Sequence, residues 1–410
     1  MKRNVIVGQS GGPTSAINSS LAGVYTTAME RGAKKVYGMR HGIQGLIAGD
    51  VVDMSKYIKH SLHVELLRRT PAAFLGSCRF KLPEIHEDKA VYEKIFKKLV
   101  ELDIEAFIYI GGNDSMDTIK KLSDYALLTG SDIKFVGCPK TIDNDLALTD
   151  HTPGYGSAAK YIGTSVKEVI RDAMSQEYPH GIATVVEVMG RDAGWLTGAA
   201  CLAEGEDNRG PDALYLPEIP FDLDLFLKKA KKALDEKGYT VVAVSEGVRT
   251  KDGKYVCEMG ADSGFVDAFG HKQLTGTATF LCQYLASKLG CKTRSIELST
   301  LQRAASHLAS RIDIIEAGQI GGASVKAADE GSTGVMVVFE RSSDDPYQCH
   351  TAVEDVHKIA NEERLVPRKW INKEGTYITD DFRTYVEPLI QGDLWPIMVG
   401  GIPRHLYMDK

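Results

Sequence analysis

Short apolar runs alternate with amphipathic helical stretches along most of this chain, and that alternation limits the folds open to it. The helical pattern is clear over 15–30, where Ile17, Leu21 and Val24 recur on one helical face. Strands that alternate with helices form right-handed βαβ units and a mostly parallel sheet. The candidate strands are 5–7, 35–38, 106–110, 135–137, 183–188, 240–245 and 334–339. The candidate helices are 15–30, 90–102, 114–128, 156–174 and 223–237. We therefore predict an α/β fold with mostly parallel sheets.

The length and charge of the chain exclude several classes of protein. Its 410 residues exceed the roughly 150 of an average domain, so we predict two α/β lobes between which the chain crosses. Lys and Arg number 49 and Asp and Glu 55, a net charge of −6. This balance argues against nucleic-acid or membrane-surface binding through basic charge. No run approaches the roughly 20 apolar residues that cross a bilayer.

The cysteine content indicates the compartment. The seven cysteines are scattered and include no C-x-x-C pair, so the sequence predicts neither a disulfide framework nor a zinc site. The first apolar run stops at Gly8, which is too short for the core of a signal peptide. Reduced thiols are typical of the cytoplasm, and we predict a cytoplasmic protein.

Several strands run directly into glycine and polar residues, and ligands of open α/β sheets bind at such strand ends. After the first strand, Gly11 and Gly12 allow the backbone to approach an anion, and the next helix N-terminus favours negative charge. The spacing fits neither a Walker A loop nor a dinucleotide fingerprint, and a tight turn before a capped helix is the alternative. A later strand ends in two glycines followed by Asn113 and Asp114. Asp114 either caps the next helix or contacts a metal or phosphate.

Two carboxylates, Asp143 and Asp145, flank an amide residue shortly after the strand at 135–137. Phosphoryl transfer to an alcohol needs a base near the hydroxyl and a divalent cation that bridges the phosphates. These two residues have the chemistry to divide those tasks. An Asx turn with solvated carboxylates is the alternative.

Charged residues also follow the later strands. Arg191 follows the strand at 183–188, Glu246 follows the strand at 240–245, and Arg294 and Arg303 lie further along the chain. Each is either a solvated surface charge or part of a site at the strand ends. Their recurrence where a strand-end site would recruit them favours the second interpretation.

In order and at matching intervals from Val5 to about Arg303, these segments resemble the phosphofructokinase family. The specific motifs are Thr-Ile-Asp-Asn-Asp at 141–145, Met-Gly-Arg at 189–191 and Gly-Gly-x-x-Ser at 111–115. The family implies two Rossmann-like lobes, Mg²⁺, and phosphoryl transfer to the 1-hydroxyl of fructose 6-phosphate. The resemblance implies a phosphoryl-donor lobe at 1–150, with the chain returning at 305–345, and a sugar-phosphate lobe at 151–304. The sequence from about Pro346 is polar and predicts an irregular C-terminal extension of unknown role at 346–410.

The resemblance also implies a role for each matching residue. Asp143 would accept the sugar hydroxyl proton, Thr141 would contact the transferring phosphoryl group, and Arg191 would stabilise the transition state. Lys140 and Asp114 complete the catalytic set. The donor would be bound by Gly11, Gly12, Arg79, Gly112, Asp114 and Lys140, and the metal by Asn113 and Asp145. The sugar phosphate would be bound by Thr141, Ile142, Asp143, Met189, Gly190, Arg191, Glu246, Arg294, Thr300 and Arg303.

Two positions favour pyrophosphate over ATP as the donor and so resemble the pyrophosphate-dependent type of the family. ATP-using members carry glycine where this chain has Asp114 and Lys140, whereas pyrophosphate-using members carry Asp and Lys. A carboxylate at position 114 would repel a nucleotide α-phosphate, because like charges about 4 Å apart cost roughly 4 kcal/mol at an effective dielectric near 20. Lys140 would neutralise a small, highly charged donor. We predict reversible transfer from pyrophosphate to fructose 6-phosphate, a step of glycolysis and gluconeogenesis.

Three departures from the family pattern leave alternatives open. Asn113 replaces an Asp of many relatives, and Ile182 and Thr300 replace an Arg and a His of the sugar-phosphate pocket in bacterial ATP-dependent members. A longer acceptor such as sedoheptulose 7-phosphate is therefore an alternative. The alternatives for function are an ATP-dependent phosphofructokinase and a non-catalytic regulatory subunit that binds sugar phosphate. We predict a homodimer or homotetramer with small-molecule substrates and no nucleic-acid or membrane partner.

Overall fold

The chain is built around two sheets of mainly parallel strands. The computed structural model describes residues 1–260 and 276–408. The strands are β1 (Asn4–Gln9), β2 (Val36–Met39), β3 (Val51–Asp53), β4 (Ile104–Gly111), β5 (Lys134–Pro139), β6 (Ile182–Val188), β7 (Ala213–Tyr215), β8 (Tyr239–Ser245), β9 (Lys292–Glu297), β10 (Val335–Asp344), β11 (Tyr347–Asp355), β12 (Met398–Val399) and β13 (Ile402–Pro403). The α-helices are α1 (Ile17–Glu30), α2 (Gly42–Ala48), α3 (Ser61–Arg69), α4 (Lys89–Glu101), α5 (Asn113–Thr129), α6 (Tyr155–Met174), α7 (Trp195–Gly198), α8 (Leu223–Lys237), α9 (Thr277–Leu289), α10 (Leu301–Ala304), α11 (Arg311–Asp329) and α12 (Asp380–Val386).

The larger sheet has seven strands in the order β11-β10-β5-β4-β1-β2-β3. Its inner strands run parallel, and β3 and β11 join antiparallel at the two edges. Every residue of β1 is buried, because helices cover both faces of the sheet. Ile6 faces a core shared with α4 and α5, whereas Val5 and Val7 face a core shared with α1 and α11.

The smaller sheet has four parallel strands in the order β7-β8-β6-β9. Helix α6 packs on one face, and α8 and α9 pack on the other. A separate two-stranded hairpin, β12–β13, lies near the end of the chain. No helix among residues 1–260 and 276–408 is both long enough and apolar enough to cross a membrane.

The predicted α/β fold with mainly parallel sheets is confirmed, and each predicted strand is present. The sequence did not predict β3, β7, β9, β11, β12 and β13. β3 and β7 have three residues each, and β9 reads Lys-Thr-Arg-Ser-Ile-Glu, which contains no apolar run. Such strands form because a neighbouring strand supplies their hydrogen bonds, and the local sequence carries no sign of that neighbour.

The end of the chain is more regular than the polar, irregular tail predicted after Pro346, and that prediction is wrong. β11 pairs along its whole length with β10, and α12 lies further on. As an edge strand, β11 exposes polar side chains, so it lacks the apolar run of a buried strand. Beyond it, Val356 and Ile359 pack into the core of the larger sheet. Phe382 and Leu389 pack into the core of the smaller one.

Candidate active site

A cleft of about 580 Å³ lies where the carboxyl ends of strands from both sheets meet. Loops that follow β1, β4 and β5 line it together with loops that follow β6 and β8. Its lining comprises Ser10, Gly11, Gly12, Pro13, Arg79, Gly112, Asn113, Asp114, Ser115, Lys140, Thr141, Ile142, Asp143, Asp145, Met189, Gly190, Arg191, Asp192, Ala193, Glu246, Arg303, Asn361 and Glu363. The structure thus brings together nearly all of the site residues predicted from the sequence.

The loop after β1 lies directly against two cations of the cleft. Gly11 has a left-handed φ of +75°, and a Cβ there would lie 3.3 Å from Lys140 Nζ. A Cβ on Gly12 would lie 3.2 Å from an Arg303 guanidinium nitrogen. The Lys140 ammonium donates to the Gly12 carbonyl at 2.7 Å. The two glycines therefore allow the backbone and the cations to share one small space.

Lys140 is held at the end of β5 and is 2% exposed. Its N–H donates to the Gly111 carbonyl at 2.9 Å, which fixes the residue beside the loop after β4. Burial lowers the pKa of Lys140 to about 8; the Asp143 carboxylate opposes that shift, and the Arg303 guanidinium adds to it. Asp114 lies nearby in the first turn of α5, where the helix dipole favours a negative charge.

Asp143 is held by its neighbour Thr141. The Thr141 hydroxyl donates to Asp143 Oδ2 at 3.1 Å and accepts from the Asp143 N–H at 3.1 Å. Burial raises the pKa of Asp143, while the Thr141 hydrogen bond and the Lys140 charge oppose the rise. Burial and the nearby Asp143 raise the pKa of Asp145 to about 7. Two half-buried carboxylates therefore share one part of the cleft.

The loops after β6 and β8 form the other half of the cleft. The Gly190 N–H donates to Glu246 Oε1 at 3.4 Å, and the Met189 N–H donates to Gln302 Oε1 at 3.3 Å. Burial and the Asp143 charge raise the pKa of Glu246 to about 7, and Arg191 opposes this rise. Glu246, Arg191 and Asp143 therefore line the same cleft, and their charges influence one another.

Two residues predicted to bind the sugar phosphate lie outside the cleft lining. Arg294 on β9 pairs with Asp172 and donates to Gln176 Oε1 at 2.9 Å. Thr300 is exposed at the start of α10, although Arg303 of the same helix does line the cleft. The roles of Arg294 and Thr300 stay predictions.

Sequence reasoning missed a segment of the tail that reaches the cleft. Asn361 and Glu363 line it, and Asn113 anchors them from the start of α5. The Asn113 amide donates to the Glu362 carbonyl at 2.9 Å and accepts from the Asn361 N–H at 2.5 Å. No motif marks this segment, which lies more than 200 residues from Asp145 in the sequence.

The carboxylates of Asp143 and Asp145 are the groups in the cleft best suited to bind a hard divalent cation. Asp143 and Asp145 offer oxygen ligands, and their raised pKa values reflect buried negative charge that a cation would neutralise. The described residues contain no group of three or more His, Cys, Asp or Glu arranged to hold a metal. Mg²⁺ often binds one or two carboxylates together with substrate phosphates, so this partial set suits it. The Asn113 amide already bonds to the tail through its nitrogen and its oxygen, and its role as a metal ligand stays a prediction.

Comparisons with known proteins agree with this arrangement. A sequence model described as "Phosphofructokinase" matches residues 4–328. A pyrophosphate–fructose 6-phosphate 1-phosphotransferase of Xanthomonas campestris pv. campestris (strain B100) is 40% identical over 99% of this chain and 96% of its own. The enzyme of the same name from Halomonas elongata is 38% identical over 100% of this chain and 97% of its own.

Solved structures show the same fold. A crystal structure of a pyrophosphate-dependent phosphofructokinase from Nitrosospira multiformis superposes with a TM-score of 0.88 at 36% identity, covering 98% of this chain and 95% of its own. The family match covers residues 4–328, a range that includes most of the residues lining the cleft. This chain therefore belongs to the phosphofructokinase family.

Proposed function

We propose that this chain transfers a phosphoryl group reversibly from pyrophosphate to the 1-hydroxyl of fructose 6-phosphate. The products are fructose 1,6-bisphosphate and orthophosphate. The observation that carries the proposal is the cleft that Asp143, Lys140 and Asp114 line together with Gly11 and Gly12 of the loop after β1, called here the glycine loop. The full-length relatives that bear this activity in their names support it.

Asp143 is the group suited to accept the hydroxyl proton. As the sugar oxygen forms its bond to phosphorus, the pyrophosphate P–O bond breaks and its electron pair leaves with orthophosphate. Burial raises the pKa of Asp143 and makes it a stronger base, while Thr141 and Lys140 favour its ionised form. Arg191, on the other lobe, is suited to stabilise charge on the transferring group.

Lys140 and Asp114 favour pyrophosphate over ATP as the phosphoryl donor. The Lys140 ammonium, directed at the Gly12 carbonyl, is available to the oxygens of the leaving phosphate. Asp114 would repel the additional phosphate of a nucleotide bound at the same loop. Bound Mg²⁺ would neutralise charge on the donor, with Asp145 as the carboxylate placed to hold it. The chain itself thus provides the base, the cations and the exclusion of larger donors.

The remaining assignments follow the lobes. Residues 1–150 and 305–345 would bind the donor, and 151–304 would bind the sugar phosphate through Glu246 and Arg303. Sedoheptulose 7-phosphate is an alternative acceptor, and the assay described below can test it in place of fructose 6-phosphate. We also propose that the protein is cytoplasmic and forms a homodimer or a homotetramer.

The test is formation of fructose 1,6-bisphosphate from fructose 6-phosphate and Mg²⁺, with pyrophosphate or ATP supplied separately. We expect turnover with pyrophosphate and none with ATP. Turnover with ATP alone would overturn the donor assignment, and silence with both would favour a regulatory subunit or a different acceptor.

Variants at the two donor positions provide the matched comparison. Lys140→Met should abolish most turnover with pyrophosphate, because it removes the cation beside the glycine loop. The pair Asp114→Gly and Lys140→Gly should allow some turnover with ATP. An exposed lysine in the same lobe, Lys94→Met, is the control and should retain wild-type kinetics. Unchanged kinetics of Lys140→Met would show that its ammonium does not contact the donor.

A further inference from the structure

The C-terminal tail contacts the loop that carries the two carboxylates of the cleft. The family match ends at residue 328, so the tail's side of this contact lies beyond it. We call residues 140–152 the carboxylate loop. The Arg364 N–H donates to the Asp145 carbonyl at 2.7 Å, and Leu146 and Glu363 form an antiparallel bridge. The tail thus acts as a main-chain partner for this loop.

Asn144 lies between the two carboxylates and turns the chain sharply there. Its φ is +57°, in the left-handed region, which asparagine adopts more readily than other residues with a side chain and which its amide contacts hold in place. Its side chain is 1% exposed, and both the oxygen and the nitrogen of its amide form hydrogen bonds. The amide accepts from the Thr152 N–H at 3.0 Å and donates to the Tyr385 hydroxyl at 2.8 Å. The backbone at Asn144 sets the directions of Asp143 and Asp145.

The hydroxyl of Tyr385, on α12, forms three hydrogen bonds, all of them to the carboxylate loop or to Arg364. Its hydroxyl donates to the Asp150 carbonyl at 2.7 Å and accepts from Asn144 and from the Arg364 guanidinium, the latter at 2.8 Å. A phenolic hydroxyl offers one donor and two acceptor sites, and all three are filled here. The Tyr385 hydroxyl therefore joins Asn144 to the Asp150 backbone within the carboxylate loop.

Arg364 adds a second tie from the tail. Its guanidinium donates to the Thr149 carbonyl at 2.5 Å and to the Asp150 carbonyl. It also lies 4.3 Å from the ring of Trp195, which fixes its orientation by a cation–π contact. The Arg364 guanidinium and the Asn144 amide meet at the Tyr385 hydroxyl, so the three groups form one network.

We propose that Tyr385 and Arg364 are positioning residues for phosphoryl transfer. They hold Asn144 in the left-handed conformation that directs the Asp143 and Asp145 carboxylates into the cleft. This inference rests on the proposed function for its kinetic consequence, and it assigns a role to the C-terminal extension.

The first experiment compares two Tyr→Phe variants of the same tail. Tyr385→Phe removes the hydroxyl that contacts Asn144, whereas Tyr377→Phe removes one directed at Glu204, away from the carboxylate loop. We expect Tyr385→Phe to lower kcat by about 10- to 100-fold, the size of effect produced by misplacing a reacting group by about 1 Å. The KM for each substrate should stay within about twofold, and Tyr377→Phe should resemble the wild type.

A double-mutant cycle separates positioning from general stability. Asn144→Gly adopts a positive φ without strain, so the backbone no longer depends on the amide contact. In that background, Tyr385→Phe should change kcat much less than it does in the wild type. Equal fold-changes in the two backgrounds would overturn the proposal. The cycle requires only that each variant folds, which its thermal midpoint reports.

Amide hydrogen exchange provides a readout that is independent of activity. Peptides covering 140–152 should exchange at least about tenfold faster in Tyr385→Phe than in Tyr377→Phe. If the wild type shows no pyrophosphate-dependent turnover but this acceleration is seen, the proposed function fails while the positioning contact stands. Unaltered exchange together with unaltered kcat would overturn the positioning role.

Discussion

Asp143 combines burial, a hydrogen bond from Thr141 and the nearby charge of Lys140. Burial strengthens a carboxylate as a base, and the other two interactions keep it from being permanently protonated. Replacing Asp143 by Asn keeps the shape of the side chain and removes its basicity. We expect kcat to fall by about 10²–10⁴-fold with little change in either KM.

Steady-state kinetics with pyrophosphate measures this effect. The matched control is Asp132→Asn, an exposed carboxylate of the same lobe that pairs with Arg3. A kcat of Asp143→Asn within tenfold of the wild type would show that another group accepts the proton.

His151 makes the stability of the fold depend on pH. It is buried between two carboxylates, with Nδ1 2.8 Å from Asp150 and Nε2 2.8 Å from Glu316. Burial lowers its pKa, but the charges and hydrogen bonds of Glu316 and Asp150 overcome this and raise the pKa to about 9. Arg341 in turn bonds to Asp150, and the Tyr347 hydroxyl donates to Glu316.

The sign of the effect follows from the raised pKa. An unfolded histidine titrates near 6.5, so the folded state binds the proton more tightly. This stabilisation is complete below about pH 6.5 and is lost as the pH rises through about 9, a change of roughly 3 kcal/mol. An NMR titration of the His151 ring should give a pKa well above 6.5. Denaturant unfolding of the wild type should show that the free energy of unfolding falls over this pH range. The control variant His86→Asn, at an exposed site, should show the same pH dependence as the wild type.

At the scale of elements, α1 and α11 approach each other through glycine. A Cβ on Gly23 would lie 2.0 Å from the Gly318 carbonyl oxygen, and one on Gly321 would lie 2.1 Å from the Ser20 carbonyl oxygen. No side chain fits between backbones this close. Since α1 follows directly after the glycine loop, the helix contact also fixes the position of that loop.

Gly23→Ala should force the two helices apart. We expect the free energy of unfolding to fall by about 1–3 kcal/mol through overpacking, despite the higher helix propensity of alanine. The KM for pyrophosphate should rise as the glycine loop moves. Chemical denaturation and steady-state kinetics measure the two effects, and Met29→Ala, half-exposed on the same helix, is the control. Unchanged stability in Gly23→Ala would mean that the helices separate at little cost.

At the scale of the whole molecule, the tail connects the cores of the two sheets. Val356 and Ile359 belong to one core, and Phe382 belongs to the other, where it stacks on Trp195 with ring centroids 5.9 Å apart. Because one segment is buried in both cores, we expect the two sheets to unfold together. Calorimetry of the wild type should show a single transition.

Phe382→Ala tests this coupling. Loss of a buried phenylalanine costs about 3–5 kcal/mol, so the midpoint of the single transition should fall without splitting. Leu301→Ala, an exposed apolar residue outside both cores, should leave the midpoint in place. Two transitions, of which only one moves, would show that the sheets unfold independently.

Much of the site was predictable because its residues follow strands. Buried strands have a recognisable apolar run, and their carboxyl ends converge at one edge of a parallel sheet. The strand pattern therefore suffices to place the residues around Gly11, Asp114 and Asp143 together. Arg294 shows the limit of this reasoning: it belongs to a polar strand without a local signal, and the structure pairs it with Asp172.

The alternation of strands and helices, the parallel sheets and the motif residues all follow from the amino-acid sequence, because each depends on periodicity or on neighbours along the chain. The bond between Asn113 and the tail and the entry of Glu363 into the cleft arise only in the folded molecule. The same is true of the support that Tyr385 gives to Asn144. These contacts join residues more than 200 positions apart, and their geometry depends on how the two sheets and the tail pack, which no local pattern encodes.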